Sequence, residues 1–120
     1  MKPVALAGGP GYTERCLVAC PYFVTRELRF RQAGNVHGYM NSKTEGSCII
    51  LSSLGAEVQV RYGASLTHNE HLSRGQTMVL PAALGNYRIE GTGVLLFSYV
   101  PAPDDEAWQA WEAENREDAG

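Results

Sequence analysis

The sequence has little of what metal sites and nucleic-acid sites usually need. Its 120 residues include three histidines, and ten Lys and Arg residues against thirteen Asp and Glu give a net charge of -3. Binding to nucleic acid depends on clustered basic side chains, which neutralise phosphates. The composition therefore predicts a protein that has no nucleic-acid partner.

Cysteines and long apolar runs are also scarce. The three cysteines, Cys16, Cys20 and Cys48, are odd in number, so they cannot form a complete disulfide framework. A reduced, cytoplasmic setting is the simplest interpretation. No apolar run reaches the roughly 18 residues of a membrane span, and the N-terminal apolar stretch stops at Gly8 and Pro10. We therefore predict no membrane segment and no signal peptide.

What is present indicates one globular domain built from strands. A hydrophobic content of 44% with 19% charged residues is ordinary for a folded domain of this length. Short runs of β-branched and aromatic residues alternate with turn signals about every 8–12 residues, which is typical of a sandwich or barrel. Val24, Leu28 and Phe30 fall on one parity, as expected of inward side chains in a strand.

The positions of proline and glycine residues divide the chain into three parts. We predict an extended arm over 1–15, a β-domain over 16–101 and an amphipathic helix over 103–118, with Asp104 or Asp105 as its N-cap. Within the β-domain, 31–46 is interpreted as a long loop or ragged hairpin because it is polar and rich in glycine. Pro81 should end its strand, since proline cannot donate a ladder hydrogen bond.

Four segments carry a family resemblance by their order and spacing. They are CPYF at 20–23, Gly75 leading into VLPA at 79–82, LGNYRIEG at 84–91 and LLFSY at 95–99. This pattern resembles the C-terminal cupin (jelly-roll) domain of type I phosphomannose isomerase, also called mannose-6-phosphate isomerase, from about Thr13 to Tyr99. The resemblance implies an all-β fold, a single cupin barrel followed by the C-terminal helix. In that family the zinc ligands and the catalytic arginine belong to the upstream catalytic domain.

The resemblance therefore implies a cupin without the isomerase centre, with no catalytic residue, no metal and no cofactor of its own. The expected function is a non-catalytic carbohydrate-binding or regulatory cupin whose partner is a small sugar or sugar phosphate. One alternative is the accessory half of a split mannose-6-phosphate isomerase, docking on a separate catalytic subunit. Another is a small metal-dependent cupin enzyme, although His68-Asn-Glu-His71 in a strand would place its two rings on opposite faces.

Candidate ligand-binding residues are those with planar polar or aromatic side chains. Glu57, Gln59 and Arg61 share one strand face, and an Arg–Glu pair beside an amide would bind a polyol if that face pointed into the barrel. Alternation favours the opposite orientation, with Val58 and Val60 in the core. Further candidates are His37, Tyr22 and Tyr87, together with Glu27, Tyr39 and Asn41.

The helix must also bury two tryptophans. Ala107, Trp108 and Trp111 lie on one helical face, opposite a strongly acidic one. Self-packing on the barrel is the favoured interpretation. The alternative is that Trp108 and Trp111 contact a second copy in a homodimer or a catalytic subunit.

Overall fold

A computed structural model describes residues 2–9, 11–31, 38–44 and 46–119 of the chain, and in the last helical turn it describes the backbone alone. In these residues, strands precede a single α-helix. The strands are β1 (Val4–Ala5), β2 (Tyr12–Cys20), β3 (Phe23–Phe30), β4 (Gly38–Lys43), β5 (Ile49–Ser53), β6 (Glu57–Tyr62), β7 (His68–Leu72), β8 (Thr77–Leu80) and β9 (Asn86–Tyr99), and the helix is α1 (Glu106–Ala119).

Antiparallel pairing builds two faces of a barrel that share strand β9. The first face follows the order β1-β2-β3-β9-β5-β8, and the second consists of β4, β9, β6 and β7. The first half of β9 pairs with β4 and β6, and its second half pairs with β3 and β5. The two ends of β9 therefore contribute side chains to opposite walls of one interior.

Two glycines allow β9 to bend between the faces. Gly91 and Gly93 have φ values of +152° and +98°, a region that disfavours other residues. A Cβ on Gly91 would overlap the carbonyl oxygen of Glu57, and one on Gly93 would overlap that of Gly55. The close approach of β9 to the turn before β6 thus depends on both glycines.

The main core fills the space between the two faces. Its fully buried side chains come from both sheets and include Leu28, Leu51, Val58, Val60, Leu72, Tyr87, Ile89 and Leu95. Alternation along β3 places Val24, Leu28 and Phe30 inward, which confirms the parity predicted from the sequence.

A smaller core lies between the helix and strands β2 and β3. Cys16, Ala19, Val24 and Ala107 are buried there, and Trp108 and Trp111 pack against them. The predicted self-packing of this helical face is therefore what the structure shows. Asn115 ties the helix to the N-terminal segment, because its side chain bonds both the amide nitrogen of Lys2 at 2.7 Å and the Lys2 carbonyl at 3.2 Å.

Several local predictions met different outcomes. Strand β8 ends at Leu80, directly before Pro81, as expected. The segment 31–46, interpreted as a long loop or ragged hairpin, contains strand β4, whose Gly38 and exposed polar residues hide its alternation; residues 32–37 and 45 lie outside the described residues. His68 and His71 are exposed and lie in strand β7, which pairs with β6. Tyr12–Arg15, which we assigned to the arm, belong to β2.

No helix in the described part of the chain has the length and apolar character needed to cross a membrane.

Candidate functional site

An arginine occupies an inward position near one end of the barrel. Arg26 lies on β3 in the same parity as Val24 and Leu28, so its side chain points towards the interior. Its Nε and Nη2 donate to the hydroxyl of Tyr99 at 2.9 and 2.6 Å. Its Nη1 donates to the carboxylate of Glu14 on β2, at 3.3 and 3.4 Å. The guanidinium is thus fixed between two strands.

The start of the helix completes this polar cluster. Tyr99 donates its hydroxyl proton to Asp105 Oδ2 at 2.7 Å, and Arg26 Nη2 lies 3.8 Å from the same oxygen. The other oxygen, Oδ1, accepts a hydrogen bond from the backbone amide of Trp108 at 3.0 Å. Asp105 is therefore the N-cap of α1, one of the two predicted candidates, and its carboxylate joins the cap to the barrel. We call Glu14, Arg26, Tyr99 and Asp105 the mouth cluster.

Burial shapes the ionisation of the mouth cluster. Burial, and then the hydrogen bond to Asp105, raise the pKa of Tyr99 far above its usual range. Burial by itself would lower the pKa of Arg26, but Tyr99, Glu14 and Asp105 outweigh it and the pKa is raised. Arg26 is therefore a permanent cation, and Tyr99 stays a neutral donor at ordinary pH.

A second polar group lies deeper in the interior. Tyr87, near the start of β9, is 1% exposed, and its hydroxyl makes no hydrogen bond of ordinary geometry with any described residue. Burial raises the pKa of Tyr87 to about 12, and the nearby Ser42 side chain lowers it in part. A buried hydroxyl without a partner costs about 1–3 kcal/mol. The hydroxyl oxygen is itself completely buried, so a ligand would reach it only after a neighbouring side chain moved.

A pocket of about 180 Å³ connects these groups. The polar residues on its wall are the mouth cluster with Ser42, Lys43, Ser47 and Tyr87, and its apolar residues are Leu28, Met40, Ile49, Phe97, Val100 and Ala102. We call it the barrel-mouth pocket. Because β9 bends, Tyr87 from one of its ends and Phe97 and Tyr99 from the other line the same cavity.

The predicted strand constellation lies outside this pocket. Val58 and Val60 are completely buried, so Glu57, Gln59 and Arg61 point away from the barrel interior, the orientation that alternation favours. Their polar atoms are already bonded on that outer surface. Arg61 Nε contacts Glu90 at 2.9 Å, Gln59 accepts from Asn69 at 2.8 Å, and Glu57 contacts His71 at 3.0 Å.

The other predicted residues are dispersed. Tyr87 lines the barrel-mouth pocket, whereas Tyr22 is 81% exposed in the turn between β2 and β3. His37 lies outside the described residues. Glu27 is buried on the outer side of β3, where Arg15 and then Arg29 hydrogen-bond it and lower its pKa.

Two further candidates belong to the outer surface of the second face. Tyr39 stacks under the Arg88 guanidinium at 4.3 Å, and Asn41 is exposed beside it on β4. Neither lines the barrel-mouth pocket.

The described residues do not fit a metal centre. No three His, Cys, Asp or Glu side chains among them are close enough to share an ion. Glu14 and Asp105 do line the pocket, but Arg26 lies between them and its positive charge opposes a cation. The two histidines of β7 contact other side chains outside the pocket, since His68 stacks on Tyr62 and His71 contacts Glu57.

Sequence reasoning missed most of the mouth cluster. A signal for Arg26 existed, because it shares the inward parity of Val24 and Leu28. Asp105 was found as a possible helix cap, but nothing in the sequence connects it to Tyr99. Glu14 was hidden in a segment interpreted as an arm.

The fold can be compared with solved structures. An RmlC-like cupin from Shewanella frigidimarina superposes with a TM-score of 0.68 over 87% of this chain and 88% of its own, at 14% identity. KdgF from a Halomonas species superposes with a TM-score of 0.62 over 84% of this chain and 88% of its own, at 17% identity. The chain has the cupin fold.

Similarity to the expected family is more distant. The mannose 6-phosphate isomerase of Bacillus subtilis superposes with a TM-score of 0.64 at 20% identity, over 82% of this chain but 28% of the isomerase. No protein-family model matches the sequence, and no curated protein matches it significantly. These likenesses show a cupin barrel followed by a helix and do not single out the isomerase domain among cupins.

Proposed function

We propose that this cupin is a non-catalytic binding protein that holds one sugar ring in the barrel-mouth pocket. The observation that carries the proposal is the buried Tyr87 hydroxyl, which belongs to the pocket wall and makes no hydrogen bond of ordinary geometry with the described residues, although Ser42 lies close enough to lower its pKa. A sugar hydroxyl would supply that partner. The apolar wall, including Phe97 and Met40, suits the C–H faces of a sugar, and the mouth cluster suits its hydroxyls.

The size of the pocket supports a ligand of one ring. At about 180 Å³ the cavity is smaller than the roughly 300–1,000 Å³ of drug-sized sites. A cavity of about 150 Å³ is known to accept a benzene ring. A monosaccharide fits this range, and a disaccharide would extend beyond the mouth.

The hydrogen bonds of the two carboxylates in the pocket favour a binding protein over an enzyme. Glu14 accepts hydrogen bonds from Arg26, and Asp105 accepts them from Tyr99 and from the amide of Trp108. A general base needs a carboxylate oxygen directed at the substrate. Both carboxylates are instead fixed by donors of the protein itself, so a ligand hydroxyl can use only their remaining lone pairs.

The test is calorimetric titration with glucose and with mannose at millimolar concentrations. We expect heat with at least one of them, and Tyr87→Phe to weaken its binding about tenfold, since a hydrogen bond in a buried site is worth about 1.4 kcal/mol. Tyr62→Phe is the matched control, because Tyr62 stacks on His68 outside the pocket. If neither these sugars nor their 6-phosphates produce heat or a thermal shift, the proposal fails.

The outer surface around Glu57, Gln59 and Arg61 is the competing site for the same ligand. Its exposed amide and guanidinium groups support it, although each already has a protein partner. Arg61→Ala separates the two sites. Loss of sugar binding in this variant, with Tyr87→Phe unaffected, would place the ligand on the outer surface.

The accessory subunit of a split isomerase remains the second proposal. It is supported by the superposition on part of a mannose 6-phosphate isomerase. Trp108 and Trp111 already pack on their own barrel, so a catalytic subunit or a second copy would meet only their exposed edges. Co-expression with an isomerase catalytic domain, followed by sedimentation, tests both assemblies. The third alternative, a metal-dependent cupin enzyme, has no set of metal ligands among the described residues to support it, and elemental analysis of the purified protein tests it.

A further inference from the structure

The charges in the barrel-mouth pocket are arranged around one buried cation. Arg26 is flanked by Glu14 at 3.3 Å and by Asp105 at 3.8 Å, and each of these side chains is no more than 21% exposed. One guanidinium between two carboxylates gives the mouth cluster a formal charge of −1. Lys43, the other charged residue of the lining, brings the formal charge of the whole lining to zero, but it is exposed, so water and salt screen its charge more than the charges of the mouth cluster.

Most N–H donors of the Arg26 guanidinium already make hydrogen bonds within the protein. Nε and Nη2 both contact the Tyr99 hydroxyl, and Nη1 contacts Glu14. Recognition of a phosphate or a carboxylate by arginine normally uses two parallel free N–H groups. An anion in this pocket would have to displace Tyr99 or Glu14 and would then lie beside the carboxylate of Asp105.

From this arrangement we infer that the ligand of the pocket is an uncharged sugar and that Glu14 and Asp105 exclude its phosphate esters and acidic derivatives. The inference rests on the proposed function and names the ligand class of the same site. Neutral hydroxyls can donate to the carboxylate oxygens and accept from Tyr87 or Ser42, because a hydroxyl is both donor and acceptor. A phosphate dianion can only accept, so it gains nothing from the carboxylates and is repelled by them.

The experiment compares each neutral sugar with its own phosphate. The wild-type protein is titrated with glucose, mannose, glucose 6-phosphate and mannose 6-phosphate at low ionic strength, where charge effects are least screened. We expect the neutral sugar to bind at least tenfold more tightly than its phosphate. Because repulsion falls with screening, raising the salt concentration should narrow this ratio.

Glu14→Gln tests the origin of the discrimination. The amide oxygen of glutamine can still accept from Arg26, while the negative charge is removed. We expect the ratio of the affinity for the neutral sugar to the affinity for its phosphate to fall at least fivefold in this variant. Glu112→Gln is the matched control, since Glu112 is exposed on α1 and loses the same charge away from the pocket.

The outcomes separate this inference from the proposed function. If the phosphate binds as tightly as the neutral sugar or more tightly, the inference is overturned while sugar binding stands. If Glu14→Gln and Glu112→Gln change phosphate binding equally, the discrimination does not come from the mouth cluster, which also overturns it. If no sugar or sugar phosphate binds, the proposed function itself is lost.

Discussion

Replacing Asp105 by alanine should destabilise the protein far more than a surface aspartate normally would. The substitution removes three interactions of one carboxylate. It loses the N-cap bond to the amide of Trp108, the bond accepted from Tyr99 at 2.7 Å, and the 3.8 Å contact with Arg26. The first belongs to the helix, and the other two join the helix to the barrel.

The expected cost follows from these contacts. Loss of an N-cap costs about 1 kcal/mol, and loss of a hydrogen bond to a charged group costs about 1.5–3 kcal/mol. The longer contact with Arg26 adds less than about 1 kcal/mol. We therefore expect the free energy of unfolding to fall by about 3 kcal/mol. For 120 residues the unfolding entropy is about 0.25 kcal/mol per kelvin, so Tm should fall by about 12 °C.

Thermal unfolding followed by circular dichroism measures this directly, and the neighbouring residue provides the control. Asp104 is exposed, and Asp104→Ala removes the same charge from the same segment. Asp105→Asn should fall between the two, because asparagine caps helices well but its neutral side chain accepts more weakly. If the Tm of Asp105→Ala lies within 3 °C of that of Asp104→Ala, the link between cap and barrel is not what holds this helix.

Three further predictions concern other parts of the barrel. Burial raises the pKa of Tyr87 to about 12, against an unfolded value near 10, so the folded protein holds this proton more tightly. About 3 kcal/mol of the free energy of unfolding is therefore present below pH 10 and is lost as pH rises through 12. Tyr99 shifts in the same direction, so an ultraviolet titration should show late-ionising tyrosines, and their ionisation near pH 10 in the native protein would contradict this. Gly91→Ala should lower the free energy of unfolding in urea by at least about 2 kcal/mol, because its Cβ would overlap the Glu57 carbonyl. Gly46 has open space around it, so Gly46→Ala should lower it by about 1 kcal/mol. Equal losses in the two variants would contradict the steric argument. Trp111→Ala should lower the free energy of unfolding by roughly 2 kcal/mol, which is less than the loss at a fully buried tryptophan, because the Trp111 side chain is half-buried. An unchanged Tm would show that the packing of the helix contributes little to stability.

The predictions that succeeded depend on local pattern. Val24, Leu28 and Phe30 recur with the period of a strand, and Pro81 removes a backbone donor wherever it stands. The cap at Asp105 likewise follows from the few residues around it. The same local patterns did not identify strands β4 and β7 in the sequence. Gly38 carries no side chain to mark its parity, and His68 to His71 are all polar and exposed.

The candidate site shows the same division. Tyr87 was proposed from the sequence and lines the pocket, whereas Tyr22 lies in an exposed turn. The constellation of Glu57, Gln59 and Arg61 was recognised correctly as one strand face. Which side of the barrel that face occupies depends on its neighbours, and the buried Val58 and Val60 place it outside.

The sequence by itself determined the class of fold, the alternation of side chains along single strands and the approximate start of the helix, because these follow from periodicity and from the chemistry of adjacent residues. Only the tertiary structure decided where the pocket lies. Glu14, Arg26, Tyr99 and Asp105 come from three strands and a helix start, and they meet because the barrel closes and β9 bends at its glycines. Contacts between residues so distant in the chain leave no periodic trace in the sequence.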